Sequence, residues 1–185
     1  MPRCLHHKTK FVAKYFNQKF CMEDEDCIDA SIQYARDKVK AKQTKDWQKE
    51  KKSLKTALKT LSELEAEAKK SFQKYIRLRD KDLPCVSCGV NETELWDGGH
   101  YKKAEIYSGV IFNEMNCHKQ CRKCNRFLGG NELNYRTGLI QRYSEKEVNE
   151  IEQLANDTRQ FKFTREQLIA KKLQYDIKIK ELLKQ

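Results

Sequence analysis

Two C-x-x-C pairs, Cys85/Cys88 and Cys121/Cys124, constrain this chain more than any other feature. Two such pairs on tight turns can meet around one zinc ion and hold it tetrahedrally through four thiolates. Gly89, directly after the first pair, suits a knuckle in which backbone N–H groups approach the sulfurs. A redox role needs only one C-x-x-C, and nothing here resembles the strand–helix setting of a thioredoxin. A region with few apolar residues also gains folding energy from a bound metal. Cys85, Cys88, Cys121 and Cys124 are therefore read as a structural zinc site.

The spacing limits what lies between the pairs. Thirty-two residues separate Cys88 from Cys121, enough for a β-hairpin and a loop. Leu95 to Tyr101 reads as a short strand, Asn113 to Gln120 leads into the second pair, and a helix is expected from Asn125 onward. All seven glycines fall between Gly89 and Gly138, and the only prolines are Pro2 and Pro84, so tight turns concentrate in the middle of the chain. The flanks lack breakers and read as helical. The fold class is thus α+β: a small zinc-stabilised ββα core flanked by long α-helices. Four segments follow: a Cys/His-containing N-terminal lobe (1–30), a basic amphipathic helix (31–82), the zinc-stabilised core (83–143) and C-terminal helices (144–185).

The basic segment carries much of the chain's charge. Lys and Arg number 38 against 27 Asp and Glu, a net +11 over 185 residues. Arg36 to Lys59 alone holds ten bases and three acids. Such density fits either a solvated face or contact with phosphates, and the overall excess points to nucleic acid. Leu54, Ala57, Leu61, Leu64, Ala68, Ser71, Tyr75 and Leu78 follow steps of three and four, one apolar stripe along a helix. The stripe packs on the protein's own core or pairs two copies as a homodimer. Further on, Ser144 with Glu147 and Thr164 with Gln167 read as capped helix starts. The second helix is expected from about Arg165 toward Leu183, with Leu168, Leu173, Ile177 and Leu182 as its apolar positions.

No apolar run approaches a membrane span. The first ten residues hold no hydrophobic signal core, so a secretory leader is not expected, and the chain is read as cytoplasmic. Inside the cell, eight cysteines point to metal rather than to disulfides. Cys4, His6 or His7, Cys21 and Cys27 offer a second zinc site, with the choice of histidine open.

Within the core lie Asp97, His100, Asn116 and Asn125. Hydrolysis of a phosphodiester needs a base to take a proton from water and a counter-charge for the departing oxygen. An imidazole suits the first task near neutral pH. A hard cation such as Mg²⁺, held by a carboxylate and an amide oxygen, suits the second. Plainer roles remain for each residue: Asp97 as a turn residue, Asn125 as a helix cap, His118 as a polar support and Cys117 as a core thiol. Lys102, Lys103, Lys119, Arg122, Lys123 and Arg126 flank these groups and would clamp phosphates or simply aid solubility.

The phrases W-D-G-G-H-Y and N-C-H-K-Q-C-R-K-C-N-R resemble the HNH (ββα-metal, treble-clef-like) nuclease motif. With L-P-C-V-S-C-G, F-N-E-M-N-C-H-K-Q-C-R-K-C-N and G-N-E-L-N-Y added, the stretch from about Arg79 to Ser144 resembles the NinG/Rap recombination endonucleases of lambdoid phages. The resemblance implies a catalytic set of His100 as general base, Asn116 bracing it through the backbone, and Asn125 at the catalytic cation. Asp97, three residues before His100 and on the strand face of position 99, is read separately as a ligand of that cation, directly or through water. Many relatives place a ligand directly before the base, where Gly99 stands here. The resemblance further implies an endonuclease acting on branched DNA such as Holliday junctions or D-loops, in the host cell of a phage or prophage. The alternative is a zinc-stabilised DNA-binding or recombination-mediator module without catalysis.

Overall fold

Short polar side chains mark where the helices begin. Asp24 is extended (φ −139°, ψ 169°) and its carboxylate accepts the N–H of Cys27, so helix α1 (Glu25–Ala57) starts there. Its 33 residues span about 50 Å. Thr60 is extended again: its hydroxyl accepts the N–H of Glu63, whose carboxylate in turn accepts the N–H of Thr60 at 2.7 Å. This reciprocal cap starts α2 (Leu61–Arg79). The segment 31–82 is therefore not one helix, because the cap at Thr60 satisfies groups that a continuous helix would have used itself. The computed structural model describes residues 1–184 and separates into two units, Met1–Lys59 and Thr60–Gln185.

In the first unit, Cys4, Phe11, Phe20 and Cys27 form a small core, with Cys21, Ala30 and Tyr34 packed on it. Cys27 is the one buried residue of α1. Ile32, Val39, Trp47 and Leu54 are exposed along it.

In the second unit, α2 buries Leu64, Ala68, Phe72, Tyr75 and Ile76. Leu64, Ala68 and Tyr75 belong to the apolar stripe and are spent on the protein's own core, while Phe72 and Ile76 fill that core from positions outside the stripe. Its main partner is α5 (Arg165–Leu182), where Tyr175 stacks on Phe72 with ring centroids 4.8 Å apart and Asp176 accepts from Ser71 at 2.7 Å. Thr164 and Gln167 form the expected capping box, while Ser144 caps α4 (Glu145–Asp157) by accepting the N–H of Glu147. The apolar face of α5 differs from the sequence reading. Leu168, Tyr175 and Ile179 are buried, whereas Leu173 and Ile177 are 60% and 46% exposed. Steps of seven and four from Leu168 keep one face, and Leu173 and Ile177 fall on its far side.

Between α2 and the C-terminal helices runs a two-stranded antiparallel sheet. Strand β1 (Trp96–His100) pairs with β2 (Cys117–Cys121) in a register that sets Trp96 opposite Cys121 and His100 opposite Cys117. The helix expected from Asn125 is a single π-helical turn, Lys123–Phe127, stopped by Gly129 and Gly130 at φ +59° and +95°. The next regular helix, α3 (Glu132–Arg142), comes after that turn. The protein is thus a helix-rich α+β fold with one small sheet. Among the described residues no helix is long and apolar enough to cross a membrane.

Helix α3 lies against the first cysteine pair. A Cβ on Gly138 would stand 1.8 Å from the carbonyl oxygen of Val86, so the backbones touch where a side chain would sit. Gly138→Ala sets a helix-propensity gain of about 1 kcal/mol against an overlap with main chain. The overlap should win, lowering stability by about 2 kcal/mol. A urea midpoint unchanged or raised by this substitution would show that α3 and the knuckle are not in contact.

Candidate metal centres and nucleic-acid site

The two cysteine pairs meet. Ligand atoms of Cys85, Cys88, Cys121 and Cys124 lie within 4.8 Å of one another. A tetrahedron of thiolates about zinc has S···S edges near 3.8 Å, and the Cys88 and Cys121 sulfurs are 3.8 Å apart. Cys85 receives the backbone N–H of Cys121. Burial opposes ionisation of its thiol, but N–H groups of Cys121, Cys88 and Ser87 prevail and hold it below the ordinary value. Burial raises Cys121 and takes Cys124 up to about 12. Cys85 is thus favoured toward the thiolate, and a cation would draw protons from the tetrad as it binds.

The first unit holds a second tetrad of Cys4, His7, Cys21 and Cys27, also within 4.8 Å. The sulfur of Cys27 stands 3.6 Å from that of Cys4 and 3.5 Å from that of Cys21. The structure selects His7 over His6: Nδ1 of His7 is 3.2 Å from the Cys21 sulfur, and its Nε2 is 3.0 Å from a carboxylate oxygen of Asp24. A carboxylate behind a ligating imidazole fixes its tautomer and raises its basicity. Burial opposes ionisation of Cys4, yet N–H groups of His7, Cys21 and His6 bring its thiol down to about 6. Asp24 thus caps α1 and orients a candidate ligand, two roles that the sequence alone does not show. Both tetrads have the soft donors and the spacing that zinc takes.

Alternation along β1 sends Asp97 and Gly99 to one face of the sheet and Trp96, Gly98 and His100 to the other. Asp97 reaches Asn125, whose amide donates to its carboxylate at 3.0 Å. Arg126 lies 3.3 Å and Arg122 3.7 Å from the same carboxylate. Asp97 is therefore not a turn residue, and Asn125 does not cap a helix. Gln120, also on this face, is fully buried, and its Oε1 has no hydrogen-bond partner.

His100 faces α2. Its ring lies beside Phe72, 6.0 Å between centroids, and its Nε2 is 2.9 Å from the carbonyl of Ile111. A carbonyl only accepts, so Nε2 carries the proton and Nδ1 keeps its lone pair. Nδ1 has no hydrogen-bond partner among the described residues. Burial holds the imidazole below its ordinary value, with the Ile111 contact offsetting part of the effect. The ring is thus a neutral base at pH 7. It makes no hydrogen bond to Asp97 or Asn125.

Asn116 is buried with its amide fully used: Oδ1 accepts from Lys102 N, and Nδ2 donates to the carbonyls of Lys102 and Val110. It clamps the two chain segments that carry His100 and Ile111, a positioning role. The loop before it is tied to the end of α4, where Gly109 N donates to Thr158 O and Ser108 Oγ to Phe161 O.

The six flanking cations divide. Lys119 is buried, donates to the carbonyl of Lys81 at 2.8 Å and stacks over Trp96. It is held inside the fold as a structural cation and is not placed to clamp a phosphate. Lys102 is engaged by Glu132 at 2.9 Å and lies over the Tyr101 ring. Arg122 and Arg126 rest on Asp97. Lys103 and Lys123 are exposed, without an ion pair among the described residues. His118 lies between the hydroxyls of Tyr135 and Tyr143, and burial takes it down to about 3. Cys117 is a fully buried thiol in the α2–α5 core.

The family model for the Bacteriophage Lambda NinG protein matches residues 1–185. The chain belongs to the NinG family. Protein ninG of Escherichia phage lambda is 41% identical over 128 residues, covering 69% of this chain and 61% of the relative. Protein ninG of Salmonella phage P22 is 40% identical over the same span, which is 62% of its own length. The chain thus aligns with about three fifths of each of these NinG relatives. No solved structure matches this chain.

Purified protein should carry two zinc ions per chain by elemental analysis. Cys124→Ser and Cys27→Ser should each reduce the count to one, from different units. Both ions should be lost as the pH falls, since protonation takes thiolates from the metal. A count of two in Cys27→Ser would remove the first-unit site.

Proposed function

We propose that this NinG-family protein is a metal-dependent DNA endonuclease of the HNH type, with His100 as general base. The observation that carries the reading is the imidazole itself: kept neutral by burial, fixed by the Ile111 carbonyl, and free at Nδ1. Strand, strand and short helix follow in the order the HNH resemblance implies, with the zinc tetrad at their ends. The members of this NinG family matched above are phage proteins, which supports an intracellular role in phage DNA metabolism.

In this mechanism Nδ1 takes a proton from water as its oxygen attacks phosphorus. The bond from phosphorus to the 3′ oxygen breaks, and that oxygen leaves with a proton regained from solvent. Asp97 and Asn125 would hold a hard divalent cation such as Mg²⁺, which supplies positive charge beside the leaving oxygen. Arg122 and Arg126, resting on Asp97 in the free protein, would transfer to DNA phosphates on binding and release the carboxylate. Lys103 and Lys123 add exposed charge on the same region, and the bases of α1 add salt-dependent affinity for the duplex. Zinc holds the geometry without taking part. Recombination intermediates such as Holliday junctions and D-loops are the substrates that the resemblance favours. The exposed apolar residues of α1 are what a homodimer would use.

A nicking assay with Mg²⁺ on junction, D-loop and linear DNA tests this directly. His100→Ala should lose about 10²- to 10⁴-fold in rate while keeping both zinc ions. The wild-type rate should rise with pH through a value below 6.5 and then level. The sign follows from the mechanism: the protonated ring cannot accept a proton, and burial moves protonation to lower pH. Equal cutting by His100→Ala removes the base. Absence of cutting by the wild type with any divalent metal leaves the non-catalytic DNA-binding module.

A further inference from the structure

Gln120 has one half of its side-chain amide tied down and the other half left over. Its Nε2 donates to Ser87 Oγ and to the carbonyl of Gly130, both at 2.7 Å. The Gly130 carbonyl can only accept, so the amide cannot be turned round, and Oε1 must point the opposite way. That oxygen is fully buried and unpartnered. An unpaired buried acceptor of this kind is costly and calls for an occupant.

The direction in which it points is informative. A Cβ on Gly99 would lie 2.1 Å from Gln120 Oε1 and 3.0 Å from Asn125 Oδ1. Two amide oxygens therefore converge beside Gly99, whose missing side chain is what lets the Gln120 oxygen approach the strand. Asn125 Oδ1 accepts no hydrogen bond among the described residues, and its Nδ2 is committed to Asp97. Two neutral oxygens and a carboxylate on one face of β1 are a hard-cation donor set.

We propose that Gln120 Oε1 is a ligand of the divalent cation, completing with Asn125 and Asp97 a site that the glycine at position 99 opens. The inference rests on the cation reading given above and adds one named ligand to it. It also accounts for Gly99: any side chain there would press on the Gln120 oxygen. With one carboxylate and two arginines nearby, the free protein holds the cation weakly, and phosphate oxygens of bound DNA strengthen the hold.

The probe is Mn²⁺, titrated into the zinc-loaded full chain and followed by the paramagnetic resonance signal of the free ion. Thiolate-bound zinc resists exchange for manganese. Wild type should bind one Mn²⁺, and low Mn²⁺ should broaden the side-chain amide NMR signals of Gln120 and Asn125 before those of other residues. Gln120→Met and Gly99→Ala should each weaken Mn²⁺ at least tenfold, as should Asn125→Ala. Zinc content and melting temperature report whether each variant folds, and Gly99→Ala carries the test should Gln120→Met fail to fold. If Asn125→Ala loses Mn²⁺ while Gly99→Ala and Gln120→Met bind it as wild type does, Gln120 is no ligand and the cation reading stands without it. If wild type binds no Mn²⁺, both fall.

Discussion

Pairing of β1 with β2 decides where every chemically useful side chain of the second unit points. The register sets Trp96 against Cys121, so the strand that carries Asp97 and His100 is aligned directly with a cysteine of the tetrad. Slipping by one residue would turn Asp97 away from Asn125 and His100 away from Ile111 at the same moment. Two strands of five residues do not hold a register by themselves. Here the cysteine tetrad gathers at one end, where a metal would fix it, and Asn116 fastens the other by three hydrogen bonds to main chain.

Electrostatics on the two faces of β1 differ accordingly. On one face Phe72 lies beside the imidazole, and burial there favours the uncharged ring. The other collects a carboxylate, two arginines and two amides, and it favours ions. The imidazole and the charged groups thus lie on opposite faces of one strand, His100 toward Phe72 and Asp97 toward Asn125. On the function proposed above, a phosphate that reaches both would do so from the end of the strand.

Much of this was legible in the residues. Cysteine spacing gave both tetrads, and the polar residues Thr164 and Ser144 marked helix starts correctly. The cap at Thr60, of the same type, is masked in the sequence by a regular apolar stripe that runs across it. On α5 the sequence pattern runs through Leu173 and Ile177, since leucine and isoleucine weigh more than tyrosine in a pattern, yet it is Tyr175 that fills the core. The partners of His100 and Asn116 are backbone carbonyls, which leave no trace in a sequence. Lys119 looked like its basic neighbours, and only strand alternation and the ring of Trp96 set it apart. The burial and unpaired oxygen of Gln120 left no mark in the sequence beyond its place directly before Cys121.

The anchoring of the 108–111 loop on the end of α4 reaches further than its size suggests. The carbonyl that aims His100 belongs to a segment held by Thr158, Arg159 and Phe161, some fifty residues later in the chain. The aim of the imidazole is therefore inherited from the α4–α5 connection. An insertion or deletion in that connection, far from any ligand or base, would swing the ring while leaving strands and sulfurs in place.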